Sequence, residues 1–223
     1  MDRGDPISRL SERSGLRLGI MGGAFDPIHV AHLVTAQEAL VQFALDEIVF
    51  MPSGRPPHKR RRLAPAESRY LMVAVAVASH PRFSVSRLEI DRPGVGYTVD
   101  TLEQVAAVLR PDAQIFFVTG ADAVLDILTW KDPPGVVELC TLIAATRPGF
   151  DLSRLAGVLS ALGPQAVGPG PDSRVRVMQI PGLDISSSMI RERLAAGLPV
   201  RYLVPDAVCD LIEKTGEYRS PGR

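Results

Sequence analysis

The chain has 223 residues, 46% of them hydrophobic and 22% charged, which suits one α/β unit with a sizeable core. Its formal net charge is zero, so no global field steers it to nucleic acid or to a membrane surface, and any anion site has to be local. Two cysteines in no paired motif fit a reducing, cytoplasmic setting, and no apolar run approaches the length of a membrane span.

Residues 1–15, MDRGDPISRLSERSG, are polar and lack the apolar core of a signal peptide. They read as a disordered extension ahead of a single domain over 16–218, with 219–223 as a tail. The first element of that domain carries the most chemistry. The apolar run 16–21 reads as a buried β-strand and ends in Gly22-Gly23, where a chain turns and a ligand can approach the backbone. Asp26-Pro27, His29 and His32 follow, together with the apolar helical pattern Val30, Leu33, Val34, Ala36, Leu40. A helix beginning near Ile28 sets both imidazoles on one face of its first turn. Unpaired N–H groups and the helix dipole favour an anion at that end. Strand, glycine turn and paired histidines therefore make a candidate polyphosphate site. The blander reading is a plain turn with two ordinary histidines, or half a metal site. Zinc ligation is weak, because only His58 and His80 remain and Cys140 and Cys209 lie far apart. The dinucleotide fingerprint is absent too: Gly19, Gly22 and Gly23 do not fit G-x-G-x-x-G, and the second strand ends VFMPSG without an acidic residue.

Further along, 30–43 reads as an amphipathic helix and 46–51 as a strand. The loop 52–66, PSGRPPHKRRRLAPA, is rich in proline and positive charge. Such a charge run is as easily a solvated turn. Its place after a parallel strand and its stiffening by Pro56-Pro57 favour contact with a ligand. A helix is expected over 67–79, with Ala74, Val75, Val77 and Ala78 inward, then a strand over 83–90. Tyr97-Thr98 opens a helix over 99–109, with Thr98 as a natural N-cap. The strand 114–119 ends in Gly120-Ala121-Asp122. Asp122 there is either a helix cap or, at a strand's carboxyl end, a partner for a sugar hydroxyl. Trp130, the single tryptophan, has the polar neighbours Thr129, Lys131 and Asp132, which favour an accessible ring over a core one. A strand over 139–145, a helix over 152–162, a loop over 164–173 and a last strand over 175–180 follow. The helix 185–195 opens with three serines, and Arg191 lies one turn later. Serines cap helices, yet the same hydroxyls and N–H groups suit phosphate oxygens, with arginine as a bidentate cation. A helix over 205–214 closes the chain. The alternation predicts an α/β fold: a single Rossmann-like, doubly wound, mostly parallel sheet with helices on both faces. The two motifs then meet at the switch point of strand order.

Two stretches carry a family resemblance over about residues 16–218. GGAFDPIHVAH resembles the GG(T/S)FDPxHxGH signature of the HxGH nucleotidyltransferases, and ISSSMIR resembles their second signature, ISSTxIR. With the intervening GRPPHK, GYTVDTL and GADAVLDILTW, the chain is similar to nicotinate-nucleotide adenylyltransferases. Ala24, Ala31 and Ser188 depart from the usual Thr or Ser, Gly and Thr. The first two departures are expected to be tolerated, because backbone N–H groups do most of the phosphate holding. The resemblance implies adenylyl transfer: the 5′-phosphate of nicotinate mononucleotide attacks the α-phosphorus of ATP, giving nicotinate adenine dinucleotide and pyrophosphate. It implies His29, His32 and Arg191 as catalytic, with Gly22, Gly23, Ala24, Phe25, Gly120, Asp122, Ile185, Ser186 and Ser187 completing the ATP site. For the mononucleotide it implies His58, Lys59, Tyr97, Thr98 and Trp130, the last by stacking and cation–π attraction. Mg²⁺ is expected with ATP, held by phosphates and water, with Asp26 as its best protein neighbour. The partners expected are these small molecules, without nucleic acid or membrane; homo-oligomerisation is left open. The alternatives are another enzyme of the superfamily, acting on nicotinamide mononucleotide, pantetheine phosphate or CTP-dependent substrates, or a non-catalytic nucleotide-binding regulator.

Overall fold

A computed structural model of the chain describes residues 4–57, 63–163, 166 and 173–218. Six strands form one sheet, and every pairing in it is parallel. In chain order they are β1 (Arg17–Gly23), β2 (Glu47–Pro52), β3 (Phe83–Val85), β4 (Gln114–Gly120), β5 (Thr141–Thr146) and β6 (Val175–Gln179). Their spatial order is β3-β2-β1-β4-β5-β6, so the direction of winding reverses between β1 and β4. Such a switch point leaves a crevice at the carboxyl ends of the strands, where ligands of doubly wound sheets bind.

Each central strand is apolar on both sides, as a sheet covered on both faces requires. One face packs Phe50, Phe116, Val118 and Ile143 beneath the helices α2 (Val30–Gln42), α3 (Ala66–Val77), α9 (Ser187–Ala195) and α10 (Asp206–Thr215). The other packs Leu18, Ile20, Val49 and Leu142 against α1 (Pro6–Leu10), α5 (Thr98–Ala106), α6 (Ala121–Leu125), α7 (Pro133–Leu139) and α8 (Ser153–Ala161). A one-turn helix, α4 (Leu88–Asp91), follows β3. Among the described residues no helix is long and apolar enough to cross a membrane.

Three sequence expectations need correction. The supposed disordered extension contains α1, whose Ile7 and Leu10 are fully buried in the second cluster. Asp5 caps it by accepting the Ile7 N–H at 2.9 Å, and its other oxygen accepts the Ser86 hydroxyl at 2.6 Å. The strand expected over 83–90 stops at Val85. There the Ser86 hydroxyl accepts the Leu88 N–H at 3.1 Å and turns the chain into α4, the local capture that serine offers in place of a ladder. On α3 the inward face is Arg69, Met72, Val73, Ala76 and Val77, so of the residues expected inward Val77 is buried, while Ala74, Val75 and Ala78 lie off the stripe. Arg69 occupies that stripe because its guanidinium finds carbonyls there.

Candidate active site

β1 runs through the glycine pair, which hydrogen-bonds alongside Met51 and Pro52 of β2. The strand ends only at Gly23, and the turn comes at Asp26 and Pro27. Gly22 and Gly23 are needed for room: a Cβ on Gly22 would lie 3.0 Å from the Phe117 ring, and one on Gly23 would lie 3.2 Å from the Phe25 ring. Phe25 takes φ 46°, left-handed backbone rare for a bulky residue and typical of over-determined functional loops. Arg69, 1% exposed, holds that loop from beneath. It donates to the carbonyls of Ala24 at 2.6 Å, Gly54 at 3.3 Å and Ala64 at 3.0 Å.

His29 is the N-cap of α2 and His32 lies in its first turn, as the spacing predicted. Their rings stack at 3.7 Å between centroids, and the Phe25 ring meets His32 edge-on at 5.1 Å. The His29 N–H donates to His32 Nδ1 at 3.2 Å. An Nδ1 that accepts a bond belongs to the neutral tautomer with its proton on Nε2, so His32 presents an N–H donor. Burial, with Arg147 nearby, pushes the His29 pKa down to about 4. Burial and its stacked neighbour push His32 well below the usual histidine range. Among the described residues the buried Nδ1 of His29 has no hydrogen-bond partner.

α9 points its N-terminus at the same place. Ser186 is its N-cap and accepts the Met189 N–H at 3.2 Å, so the capping reading is correct for its hydroxyl. Ser187 Oγ donates to the Pro27 carbonyl at 2.9 Å, tying α9 to the histidine loop. Arg191 donates to the Asp26 carbonyl at 2.7 Å and to Ser188 Oγ at 3.0 Å. Asp26 is 1% exposed, and its Oδ1 accepts from the Tyr218 hydroxyl at 2.8 Å and the Ala64 N–H at 3.2 Å.

These groups surround a cleft of about 430 Å³ at the switch point. Gly22, Ala24, Asp26, His29 and His32 line it from the β1–α2 side; Gly120 and Asp122 from the end of β4; and Ile185, Ser186, Ser187 and Arg191 from the approach to α9 and its first turns. Gly120, not Asp122, is the N-cap of α6, which leaves the Asp122 side chain exposed at the cleft. A second cleft, of about 360 Å³, shares Gly22, Ala24, His32, Thr119 and Ser187 with the first. Gly23, Phe25, Tyr97, Thr98 and Trp130 line it. Tyr97 is the N-cap of α5 and Thr98 its first residue, so the cap falls one position earlier than the expected Thr98. Trp130 is half-buried, with its ring edge-on to Phe117 at 6.2 Å. His58 and Lys59 lie outside the described residues.

Three site residues escaped sequence reasoning. Arg147, at the end of β5, lines the first cleft and pairs with Asp184 at 3.1 Å; its place after a parallel strand was the available signal. Glu89 lines the second cleft, nearly buried, and accepts the Thr101 hydroxyl at 2.7 Å, while burial pushes its carboxyl pKa up. Arg69 is the third. Among the described residues no group of three His, Cys, Asp or Glu side chains is placed to hold a metal ion.

The cytidylyltransferase-like family model matches residues 20–193. A protein of Moorella thermoacetica named "Probable nicotinate-nucleotide adenylyltransferase" is 50% identical over 204 residues, 91% of this chain and 92% of its own. A protein of the same name from Leifsonia xyli is 47% identical over 211 residues, 95% of this chain and 98% of its own. The solved structure of Plasmodium falciparum nicotinic acid mononucleotide adenylyltransferase complexed with NaAD shares the fold, with a TM-score of 0.71 at 21% identity over 91% of this chain and 97% of that one. The chain belongs to the cytidylyltransferase-like family and, within it, to the nicotinate-nucleotide adenylyltransferases.

Proposed function

We propose that the protein joins ATP and nicotinate mononucleotide into nicotinate adenine dinucleotide and pyrophosphate, a step of NAD biosynthesis. The observation that carries this reading is the pair of clefts with a common wall at the switch point. Two nucleotides seated on either side of Gly22 and His32 bring their phosphates together over that wall. Family membership at 50% identity supports the same reaction.

The first cleft takes ATP. His29 and His32 face the triphosphate, the α9 N-terminus with Ser186 and Ser187 faces its distal phosphates, and Arg191 supplies a fixed cation. Asp122 is placed for the ribose. The second cleft takes the mononucleotide, with Trp130 and Tyr97 as flat walls for the pyridinium ring and Thr98 at the helix start that meets its carboxylate. The reaction forms a bond from the mononucleotide phosphate oxygen to the α-phosphorus and breaks the bond to the bridging oxygen of pyrophosphate. The nucleophile is already an anion, so the protein's work is positioning and charge stabilisation. The neutral His32 Nε2–H can donate to the charge that develops on the phosphoryl oxygens.

A divalent cation fits here only as cargo of the triphosphate. The Asp26 carboxylate is occupied by Tyr218 and the Ala64 N–H, and no other acidic group completes a ligand set among the described residues. We take that cation to be Mg²⁺, which keeps its waters readily. The two buried free thiols suit a reducing cytoplasm. Incubating the protein with ATP, Mg²⁺ and, in turn, nicotinate mononucleotide, nicotinamide mononucleotide and pantetheine phosphate tests the reading. Pyrophosphate release fastest with the nicotinate substrate is expected; no release with any of them overturns it.

A further inference from the structure

Asp26 brings a carboxylate to a place that is 1% exposed, and three distant segments converge on it. The Tyr218 hydroxyl, 192 residues away on the segment after α10, donates to Oδ1 at 2.8 Å. The Ala64 N–H donates to the same oxygen. From the other side, Arg191 donates to the Asp26 carbonyl at 2.7 Å and stands 3.9 Å from Oδ2. Tyr218 holds φ 69°, so its surroundings impose the conformation. Burial beside the Asp26 charge pushes its phenol pKa up, which keeps it a donor. Tyr218 lines neither cleft.

We propose that Tyr218 is a positioning residue for the phosphate site: its hydroxyl fixes the Asp26 carboxylate, and Asp26 in turn fixes the Arg191 guanidinium and the turn that carries His29 and His32. The proposal rests on the adenylyltransferase reading and deepens it. Phosphate and the Asp26 carboxylate compete for one cation, the Arg191 guanidinium. With the Tyr218 hydroxyl in place, Oδ1 accepts two donors, and Arg191 donates to the Asp26 carbonyl and to Ser188 Oγ. Without it, the buried carboxylate has one donor fewer and pulls harder on the guanidinium 3.9 Å from Oδ2, away from phosphate.

Tyr218→Phe in the full chain keeps the ring volume and removes only the donor. Titration with a non-hydrolysable ATP analogue should show affinity about tenfold weaker, the size of one lost bond to a buried charge. The kcat/KM for ATP should fall in step, with the KM for the mononucleotide within about twofold. Ser68→Ala is the control. It removes the 3.2 Å bond from Ser68 to Glu217, which ties the same segment to α3 without reaching Asp26. It should lower the Tm and leave ATP affinity unchanged. In an Arg191→Ala background, Tyr218→Phe should add less than about twofold, because its route runs through that arginine. Unchanged affinity in Tyr218→Phe, an equal loss in Ser68→Ala, or additivity with Arg191→Ala overturns the proposal. A wild-type chain that makes no dinucleotide removes the functional reading instead, while the analogue titration still decides this one.

Discussion

Two imidazoles stacked at 3.7 Å repel each other when both are charged, and burial adds to that cost, so the pair stands neutral before a ligand arrives. Neutrality suits the site, since an N–H donor set in place needs no proton at the moment of reaction. His32→Ala should cost about 3 kcal/mol in the transition state, roughly a hundredfold in kcat, with Tm nearly unchanged. Wild-type kcat/KM for ATP in that variant would remove His32 from the mechanism. The same histidines give stability a pH dependence of definite sign. Folded His29 takes up a proton only near pH 4, whereas the unfolded chain takes it up near the ordinary 6.5. Between those values the unfolded state binds more protons, so stability falls as pH falls through that window. The loss attributable to His29 between pH 7 and pH 5 is about 2 kcal/mol. Glu89, whose pKa is raised, works in the opposite direction, so the measurement is a difference. Urea unfolding of wild type against His29→Gln should show the mutant gaining relative stability toward pH 5, and parallel curves would contradict the burial argument.

Elements were legible in the sequence where a local motif and a periodic pattern agreed. The run from β1 into α2 and the serine-led start of α9 are such places, and both histidines, Ser186, Ser187 and Arg191 fell where their spacing put them. The missed elements depend on partners far away in sequence. α1 is a helix because Ile7 and Leu10 find an apolar sheet face, and β3 ends where Ser86 meets Asp5, 81 residues back. The phase of α3 depends on distant partners in the same way. Its helical stripe can be drawn two ways, and the correct one contains an arginine whose three acceptors lie on two loops. Arg69→Lys tests that clasp: lysine keeps the charge and loses the fork, leaving buried carbonyls short of donors. A loss of about 2–3 kcal/mol in denaturant unfolding is expected, with activity falling because the Ala24 loop is no longer held. Ala31→Gly, by contrast, should destabilise α2 by about 1 kcal/mol and leave kinetics near wild type, since Ala31 is buried in a regular helix and supplies no polar group.

For the whole molecule, strand order matters more than any one motif. Because β1 and β4 are neighbours whose connections wind in opposite directions, the turn into α2, the end of β4 and the start of α9 reach the same crevice from distant parts of the chain. The crevice also divides into two clefts with a common wall. His29 and Arg191 stand on the first cleft alone, while the Tyr97–Thr98 helix start and Trp130 stand on the second alone, and His32 and Ser187 lie on the wall between. A change deep in one cleft should therefore leave affinity in the other almost untouched, and Trp130 is the sharpest place to look. Its half-buried ring leans edge-on against Phe117, which fixes its plane and leaves a side toward the cleft. Losing one stacking platform costs about 1–3 kcal/mol, so Trp130→Ala should raise the KM for nicotinate mononucleotide roughly tenfold to a hundredfold. The KM for ATP should stay within about twofold, and Trp130→Phe should recover part of the loss because a smaller ring still offers a face. Equal rises in both KM values, accompanied by a fall in Tm that Trp130→Phe reverses, would mean that the tryptophan serves the core beside Phe117 and that the mononucleotide ring is held by Tyr97 alone.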